Sequence, residues 1–408
     1  MAKWHEQLNR MLPRKEGDPA EKGNPYYLEK AGKWRTFRWR FLVFFLVFLI
    51  LFFVLNVQGL KLENFHYFFS DLRASVTVRL YEESMMEYVS DSRQSFTTFR
   101  GGLCIAGTHN VSVFTQTSRQ LVSDTVNLSS PVVTASDKYV MVYDMGGGTF
   151  LVYNTFSRIL SETLDEPILY GAVSNRGDLA VVTLGTENVS NVYLYNSAMD
   201  RVAKIKKNTY VTQVAFDRDV KYLTLCCMDG VNGAYELALE TYGMGKQVTP
   251  EPVSRAELSG CFPLYLSYTD SGKLYLVCDT RLLCYGPDAK LLLNYHFSQR
   301  LVSADVGGEG CALALDSNLV RGEVRVMGWD ADGKERIDRV LTADAEQIVL
   351  KEGRIYLKGE TLTRIQLSDG RTETARTNVA GMKLLAGTNG RLYLCSASRA
   401  TDIQFEEL

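Results

Sequence analysis

The feature that most constrains the fold of this chain is a short phrase that recurs from Arg100 onwards. It consists of a turn containing Gly or Asp, a basic or polar residue, and then alternating large apolar residues. The clear copies are Ser271–Leu276, Glu352–Leu357 and Asn389–Leu394, the looser copies are Arg176–Val181, Ser136–Met141 and Asp219–Thr224, and the weakest are Arg100–Ile105 and Gly308–Leu313. Their mean spacing is about 41 residues, close to the ~40–45 residues of a four-stranded propeller blade.

Further short strands and tight hairpins fill the space between these copies. A second alternating run such as Asn191–Tyr195 or Thr363–Leu367 follows the phrase. Turns such as Gly286-Pro287-Asp288, Asp332-Gly333 and Asp369-Gly370 carry the Gly and Asp residues that tight β-turns require. Each unit therefore supplies about four antiparallel strands.

The sequence predicts an all-β fold, a β-propeller of eight four-stranded blades over residues 95–408. Seven blades are the alternative if the unit around Gly308 or the long unit at residues 211–260 is miscounted. A β-sandwich is disfavoured because it does not need eight equal units. The last repeat stops one strand short, so we expect a strand from the other end of the chain, Ser75–Tyr81, to close the ring.

An uninterrupted apolar run precedes the repeats. Phe41 to Leu55 are fifteen consecutive apolar residues, and no charge interrupts them. Because about 20 helical residues cross a bilayer, we predict a transmembrane signal-anchor helix at residues 41–60. A cleaved signal peptide and a buried soluble helix are the alternatives; the long leader without a small-residue cleavage site argues against cleavage.

The charges on the two sides of this run differ in sign. Residues 1–40 carry ten Lys/Arg against five Asp/Glu, whereas the rest of the chain carries 35 against 42. The positive-inside rule therefore predicts a cytoplasmic segment 1–40 and a single-pass protein of the cell membrane whose propeller is extracytoplasmic. The acidic balance of the exported part argues against a nucleic-acid partner.

Residues 61–94 are predicted to form a stalk between membrane and propeller. Leu62, Phe65, Phe69 and Leu72 have helical spacing and indicate a short amphipathic helix. The same segment contains the expected ring-closing strand.

The repeated G-[KR]-[LI]-Y-L phrases and their hairpins resemble the WD40-like and quinoprotein-dehydrogenase-like propeller superfamilies across residues 95–408. The whole layout of basic leader, Phe-rich anchor and propeller looks like an uncharacterised family of membrane-anchored Firmicutes proteins defined by a domain of unknown function. These resemblances imply an architecture and leave the activity open. The Trp-Asp dipeptide occurs only at Trp329-Asp330, and the repeated Trp motif of quinone-binding enzymes is absent.

No group of residues has the spacing of a catalytic, cofactor or metal site, so none is predicted. The two propeller histidines, His109 and His296, are far apart in sequence. Asp330–Glu335 resembles part of a calcium loop but occupies a hairpin position, and Gly146-Gly147-Gly148 is best explained as a loose hairpin. The basic residues Lys204, Lys206 and Lys207 are interpreted as a solvated outer strand.

Eight cysteines raise the question of disulfides in an exported domain. Five of them fall inside strands of the repeat phrase, where a small apolar residue packs between blades: Cys104, Cys226, Cys278, Cys311 and Cys395. No C-x-x-C motif occurs. We predict that most cysteines are buried and reduced, with one disulfide as the alternative.

Two functions fit these observations. The first is a scaffold at the cell envelope that binds a protein or a glycan through exposed loops, above all Gly243–Gly260, which lengthens its repeat and contains two prolines. The second is a propeller enzyme that acts on envelope polysaccharide or peptide with carboxylates at the central channel. The absence of a recognisable catalytic set favours the scaffold.

Overall fold

The computed structural model describes residues 34, 37–47, 85–231, 233–245, 248–249, 251–316, 322–375, 379, 381–403 and 405. They belong to two compact units, Met1–Glu82 and Glu83–Leu408. In the first unit residues 37–47 are helical. Phe37, Phe41 and Phe45 stack in succession with ring centroids 6.5 and 6.4 Å apart, because residues four apart share one face of a helix.

The predicted anchor and stalk are covered only in part. Among the residues described, no helix combines the length and the apolar character needed to cross a membrane. The remainder of the predicted anchor and the stalk up to residue 84, with its expected amphipathic helix, lie outside the described residues.

The second unit is all β, and its described residues form eight antiparallel sheets of four strands each. The first strand of every sheet lies beside the first strands of its two neighbours, so these strands surround a central channel. The prediction of an eight-bladed propeller is confirmed, and the seven-bladed alternative is wrong.

The strands are grouped by blade. Blade 1 contains β2 Gln94–Phe99, β3 Gly102–Gly107, β4 Asn110–Phe114 and β5 Gln120–Thr125; blade 2 contains β6 Pro131–Ala135, β7 Val140–Asp144, β8 Thr149–Tyr153 and β9 Arg158–Thr163. Blade 3 contains β10 Ile168–Val173, β11 Leu179–Leu184, β12 Ser190–Tyr195 and β13 Arg201–Lys207; blade 4 contains β14 Tyr210–Phe216, β15 Tyr222–Val231, β16 Ala234–Gly243 and β17 Ser254–Ser259. Blade 5 contains β18 Pro263–Tyr268, β19 Leu274–Cys278, β20 Arg281–Tyr285 and β21 Leu291–His296; blade 6 contains β22 Leu301–Gly307, β23 Gly310–Asp316, β24 Glu323–Asp330 and β25 Glu335–Thr342. Blade 7 contains β26 Gln347–Lys351, β27 Arg354–Lys358, β28 Leu362–Gln366 and β29 Thr372–Ala375; blade 8 contains β30 Lys383–Ala386, β31 Leu392–Cys395, β32 Arg399–Ile403 and β1 Met85–Glu87.

The ring is closed by a strand from the N-terminal side, as predicted, but a different segment supplies it. The outermost strand of blade 8 is β1, in which Met86 lies opposite Ala400 of β32 and is buried. The expected donor Ser75–Tyr81 lies outside the described residues. Alternation misled the prediction because β1 has three residues and only one buried side chain, too short a pattern to stand out. The propeller therefore begins inside the segment predicted to be stalk.

The repeat phrase forms the turn and the second strand of each blade. In β19, β27 and β31 almost every residue of this strand is buried, since both faces of the sheet pack against neighbouring blades. Its tyrosine reaches the next blade: the Tyr275 hydroxyl donates to the Asp330 carbonyl at 3.0 Å, and the Tyr393 hydroxyl donates to the Gly101 carbonyl at 2.5 Å. The recurrent Tyr thus joins neighbouring blades.

Two of the clearest phrases begin with a turn that needs left-handed backbone at both central residues. Glu352-Gly353 has φ angles of 52° and 65°, and Asn389-Gly390 has 60° and 71°. Such angles define the type I′ hairpin, whose twist matches that of the flanking strands. This requirement explains why Gly opens the repeat phrase.

Candidate interaction surface

The two ends of the propeller carry different connections. Because the strands of each blade are antiparallel, the first-to-second and third-to-fourth turns lie at one end, which we call the tight-turn end. The second-to-third turns and the connections between blades lie at the other, which we call the connection end. A partner meets different chemistry at each end.

At the tight-turn end, neighbouring turns bind one another around much of the ring. Glu352 of blade 7 accepts hydrogen bonds from the Asn389 and Gly390 amides of blade 8, at 2.6 and 2.8 Å. Further contacts between successive turns are Asp137 with Asn175, Arg218 with Asp270, Asp270 with Gly308, Glu309 with Gly353, and Thr388 with Gln116. Many polar groups of this end are therefore already used within the ring.

At the connection end, single carboxylates fix the links between blades. Asp91 accepts from the Thr108 hydroxyl at 2.6 Å and from the His109 amide at 3.1 Å. Asp144 accepts from the Ser129 and Ser130 amides at 2.9 and 2.6 Å. Hydrogen bonding, first from Thr108, lowers the pKa of Asp91 below its usual range despite burial. His109 is thus a turn residue beside a structural carboxylate.

One hairpin of blade 4 is longer than its counterparts. Strands β15 and β16 have ten residues each, whereas the corresponding strands of blade 5 have five. Strand β14 pairs with β15 only as far as Met228, and strand β17 pairs with β16 only as far as Glu236. Beyond these residues the hairpin continues as a two-stranded tip that projects from the connection end, and its edges have no strand partner among the described residues.

An exposed aromatic pair lies at the base of this tip. The rings of Tyr235, on β16, and Phe262, on the connection from blade 4 to blade 5, meet edge to face with centroids 5.6 Å apart. Tyr235 is 50% exposed and Phe262 37% exposed. The backbone holds both in place, because the Gly260 amide donates to the Tyr235 carbonyl and the Phe262 amide donates to Asp279. We call Tyr235, Phe262 and the projecting tip the aromatic tip.

Other exposed large apolar residues lie at both ends of the described part of the propeller. Val89, Met145, Leu184 and Tyr210 lie at the connection end, whereas Phe156, Tyr222, Val253, Leu291 and Leu292 lie at the tight-turn end. Exposed apolar residues that are scattered singly are normal on a protein surface. The contact between the two aromatic rings is therefore the feature that makes the connection end the candidate interaction surface.

The segment that the sequence singled out, Gly243–Gly260, is only partly a loop. Its second half is the outer strand β17, and Met244, buried, forms an isolated bridge with Val248. The loop that joins β16 to β17 lies at the tight-turn end. The extra length of this repeat is shared between that loop and the projecting hairpin. The sequence alone does not indicate the hairpin as a contact surface, because Tyr235 and Phe262 meet only after folding.

The channel wall serves mainly to join blades. Gln347 of blade 7 donates to the Leu384 carbonyl and accepts from the Leu384 amide of blade 8, at 2.7 and 3.0 Å. Asp305 is the one acidic residue in the eight first strands, all of which are described, and it accepts from the Leu350 amide at 2.7 Å. Burial raises its pKa. These strands provide no carboxylate pair of the kind that glycoside hydrolysis uses.

The two weak motifs are turns. Asp330 accepts from the Asp332 and Lys334 amides at 2.9 and 3.0 Å and from Arg336 at 2.6 Å, so its carboxylate is occupied within a hairpin whose Gly333 has φ of 79°. Trp329 lies buried at the end of the third strand. Gly146-Gly147-Gly148 connects β7 to β8, which confirms the loose hairpin.

The basic stretch lies on an outer strand, as predicted, but its lysines are paired rather than simply solvated. Lys207 forms an ion pair with Glu240 of blade 4, and both side chains are largely buried. Lys206 contacts the exposed Glu187 at 3.4 Å. Lys204 contacts Glu166 at 3.2 Å beside a concavity of about 400 Å³ lined by Tyr193, Arg201, Val202, Ala203 and Lys204.

Glu166 is the centre of a hydrogen-bond network on blade 3. Its carboxylate accepts from Thr183 at 2.5 Å, Asn191 at 2.9 Å and Tyr193 at 3.1 Å. Burial alone would raise the pKa of Glu166, but these hydrogen bonds and Lys204 outweigh it and lower the pKa. Because Lys204 is already bound, the concavity is weak evidence for a ligand.

All eight cysteines are buried free thiols, which agrees with the prediction of core positions. Cys104, Cys226, Cys278, Cys311 and Cys395 lie on second strands, as expected. Burial raises the pKa of Cys104 and of Cys395 to about 12.

The sequence of residues 77–405 matches the family of unknown function DUF5711. The chain belongs to this family. The match covers the closing strand and all eight blades of this DUF5711 protein, including the aromatic tip. No curated protein sequence matches the chain.

Solved structures with a similar fold are β-propellers of very different sequence. Sqt1 from Saccharomyces cerevisiae matches with a TM-score of 0.57 and 12% identity, covering 80% of this chain and 100% of that one. BamB from Moraxella catarrhalis matches with a TM-score of 0.51 and 14% identity, covering 80% of this chain and 98% of that one. AztD from Citrobacter koseri matches with a TM-score of 0.52 and 10% identity, covering 71% and 86%. At such identities the likeness concerns the fold alone.

Proposed function

We propose that this chain is a membrane-anchored, extracytoplasmic scaffold of the cell envelope that binds a protein partner through the aromatic tip. The observation that carries the proposal is the Tyr235–Phe262 pair, exposed at the base of a hairpin that extends beyond its sheet. A glycan partner is the second occupant that such an aromatic surface would fit.

A protein is favoured because the tip offers two kinds of contact. Large aromatic side chains that are held rigidly contribute much of the binding energy at protein interfaces. The β15 side of the tip also has no strand partner beyond Met228 among the described residues, so an extended peptide can add there as a further strand, whereas on the β16 side the Tyr235 carbonyl is bonded to the Gly260 amide. Asp229 and Glu236, both exposed on the tip, favour a partner with basic residues at its rim.

The membrane anchor rests on the N-terminal sequence and on the helix that follows it. The apolar run Phe41–Leu55 comes directly after a leader with a net positive charge. In the described helix, side chains such as Phe41 and Phe44 are exposed. Exposure of such an apolar helical surface to water is unfavourable, and the charge pattern supports membrane lipid as the environment that surrounds it.

Protease protection tests the topology. Protease added to intact protoplasts is expected to degrade the propeller and to leave the N-terminal 40 residues protected. The protein should also stay with the membrane after carbonate extraction. A soluble secreted protein that begins near Leu60 would contradict the anchor.

A pair of shortened variants tests the binding surface. In the first, residues 229–236 are replaced by a two-residue turn; in the matched control, the loop of residues 245–252 at the tight-turn end is shortened. Both proteins are captured from membrane extracts, and the associated proteins are quantified by mass spectrometry. We expect the first variant to lose a partner that the control retains. Equal recovery of partners by both variants would contradict binding through the aromatic tip. If the unchanged protein binds purified envelope glycan and the first variant does not, the partner is a glycan.

A further inference from the structure

The channel side of the aromatic tip lacks a strand that the rest of blade 4 has. Strand β14, the strand nearest the channel, pairs with β15 only as far as Tyr210 opposite Met228. Strand β15 then continues through Asp229 and Gly230, which pair only with β16 among the described residues. We call the channel side of β15 at Asp229 and Gly230 the open edge.

The backbone of Gly230 faces this open edge. Gly230 lies opposite Tyr235, whose carbonyl accepts from the Gly260 amide on the far side of β16. In an antiparallel pair, two opposite residues turn their backbone groups either toward each other or away from each other. The N–H and C=O groups of Gly230 therefore point into the open edge, where the N–H donates to the side chain of the preceding Asp229 at 2.8 Å.

The face of the tip toward blade 3 carries two carboxylates. Asp229 and Glu236 lie directly opposite each other on β15 and β16, and both are exposed. Ala238, two residues beyond Glu236, packs against the cluster between blades 3 and 4, which fixes the direction of this face. Like charges directly opposite each other in a sheet are unfavourable. Within the described part of the chain neither carboxylate forms an ion pair, so a cation from a partner would relieve this repulsion.

The face of the tip toward blade 5 has a gap beside two exposed tyrosines. Gly230 lies directly opposite Tyr235 and diagonal to Tyr210, and the two tyrosines are 50% and 49% exposed. A Cβ on Gly230 would have no heavy atom within 4 Å. Met228, on the same face, packs against the cluster between blades 4 and 5. A large apolar side chain from a partner therefore fits over Gly230.

We propose that an extended segment of a protein partner adds to the open edge as a strand, with a Lys or Arg opposite Asp229 and a large apolar residue opposite Gly230. The inference rests on the proposed function and names the kind of segment that the aromatic tip binds. Opposite residues share a face of a sheet and successive residues alternate between faces, so the two partner residues are adjacent in the partner's sequence.

Each partner residue meets a different face of the tip. The basic side chain contacts Asp229 and Glu236 together, whereas the apolar side chain packs against Tyr210 and Tyr235. A carbonyl of the partner replaces the Asp229 side chain as the acceptor of the Gly230 amide, and this frees the carboxylate to bind the cation.

Selection of peptides from a displayed random octapeptide library by the full-length protein in detergent micelles tests the charge contact. We expect the recovered peptides to contain a Lys or Arg next to a large apolar residue. The double variant Asp229→Lys, Glu236→Lys should instead recover peptides with an Asp or Glu next to that apolar residue. Both side chains are exposed, so the exchange leaves the core unchanged, and loss of folding would not reverse a charge preference.

A glycine substitution tests the apolar contact. Gly230→Val fills the gap, so we expect the recovered peptides to lose their preference for a large apolar residue and to keep the preference for a basic one. Gly307→Val is the matched control, because a Cβ there also has no heavy atom within 4 Å and the residue lies at the tight-turn end. This control should recover the same peptides as the unchanged protein.

The outcomes separate this inference from the proposed function. The variant in which residues 229–236 are replaced by a two-residue turn identifies the peptides that need the tip. Peptides that need the tip but lack a basic residue beside a large apolar one would overturn the inference and leave the proposed function standing. Recovery of no peptide would also overturn the inference. If the shortened variant binds every recovered peptide equally, the result would contradict both.

Discussion

At the scale of single residues, environment separates side chains that look alike in sequence. Lys206 and Lys207 are neighbours on β13 but point to opposite faces, as successive strand residues do. The Lys206 partner, Glu187, is 81% exposed, whereas the Lys207 partner, Glu240, is 8% exposed. Burial alone would lower the pKa of Lys207, but hydrogen bonds to Glu240 and Tyr242 outweigh it and raise the pKa.

This contrast predicts different costs for two matched substitutions. Lys207→Met leaves the Glu240 carboxylate buried, with the Tyr242 hydroxyl at 3.0 Å and Arg255 at 3.8 Å as its remaining partners, so we expect a loss of about 3 kcal/mol in the free energy of unfolding. Lys206→Met removes an exposed pair and should cost less than about 0.5 kcal/mol. Urea titrations of both variants measure the difference. Equal costs would mean that the pair between blades 3 and 4 contributes no more than a surface contact.

Glu166 gives a prediction for acid stability. Its pKa is lower in the folded chain than the ~4.3 of an unfolded Glu. The group therefore stabilises the fold above about pH 4.3, and this contribution is lost as the pH falls through the folded-state pKa. We expect Glu166→Gln to lower the melting temperature at pH 7 and to lower it much less near pH 3. A difference between the two proteins that stays constant from pH 7 to pH 3 would contradict the network.

Sequence reasoning reached some of these residues and missed others for a physical reason. The burial of Cys104 or Cys311 follows from its place in the apolar second strand of the repeat phrase, which is a local pattern. The partner of Lys207 is 33 residues away on another blade, and Phe262 meets Tyr235 across the gap between two blades. Contacts of this kind depend on how sheets pack and leave no local pattern.

At the scale of elements, the closing strand shows the same limit. The incomplete last repeat predicts that a strand from elsewhere in the chain closes the ring. The sequence does not identify the right segment, because β1 has a single buried side chain, Met86. Met86 packs in the cluster between blades 8 and 1, together with Leu103 and Tyr393. The closure therefore depends on few contacts, and its loss should be measurable.

Two N-terminal truncations test the closure. A protein that starts at residue 83 retains β1 and should melt like the propeller of the full-length protein, whereas one that starts at residue 90 lacks β1. We expect the shorter protein to lose several kcal/mol, since deleting a fully buried Met side chain alone costs about 2–5 kcal/mol. Met86→Ala in the longer protein should reproduce about that amount. Identical melting temperatures for both truncations would rule out closure by Met85–Glu87.

At the scale of the whole molecule, the period of the repeat phrase was sufficient to predict eight blades. The tyrosine and the turn glycine of the phrase recur because every blade must solve the same packing problem. Function does not recur in this way: the sequence favours the loop within Gly243–Gly260 at the tight-turn end, whereas the proposed aromatic tip lies at the connection end. The aromatic tip departs from the repeat, which is why a search for similarity between units passes over it.

The central claim is that a protein partner binds at the connection end through the aromatic tip, and site-specific photo-crosslinking in intact cells tests it most directly. A photoreactive phenylalanine analogue replaces Tyr235 in one strain and Phe156 in another. Phe156 is the matched control, an aromatic residue of similar exposure, 47% against 50%, at the tight-turn end. The account predicts a discrete protein adduct after irradiation from position 235 and none from position 156. Adducts from position 156 alone, or equally from both, would contradict it.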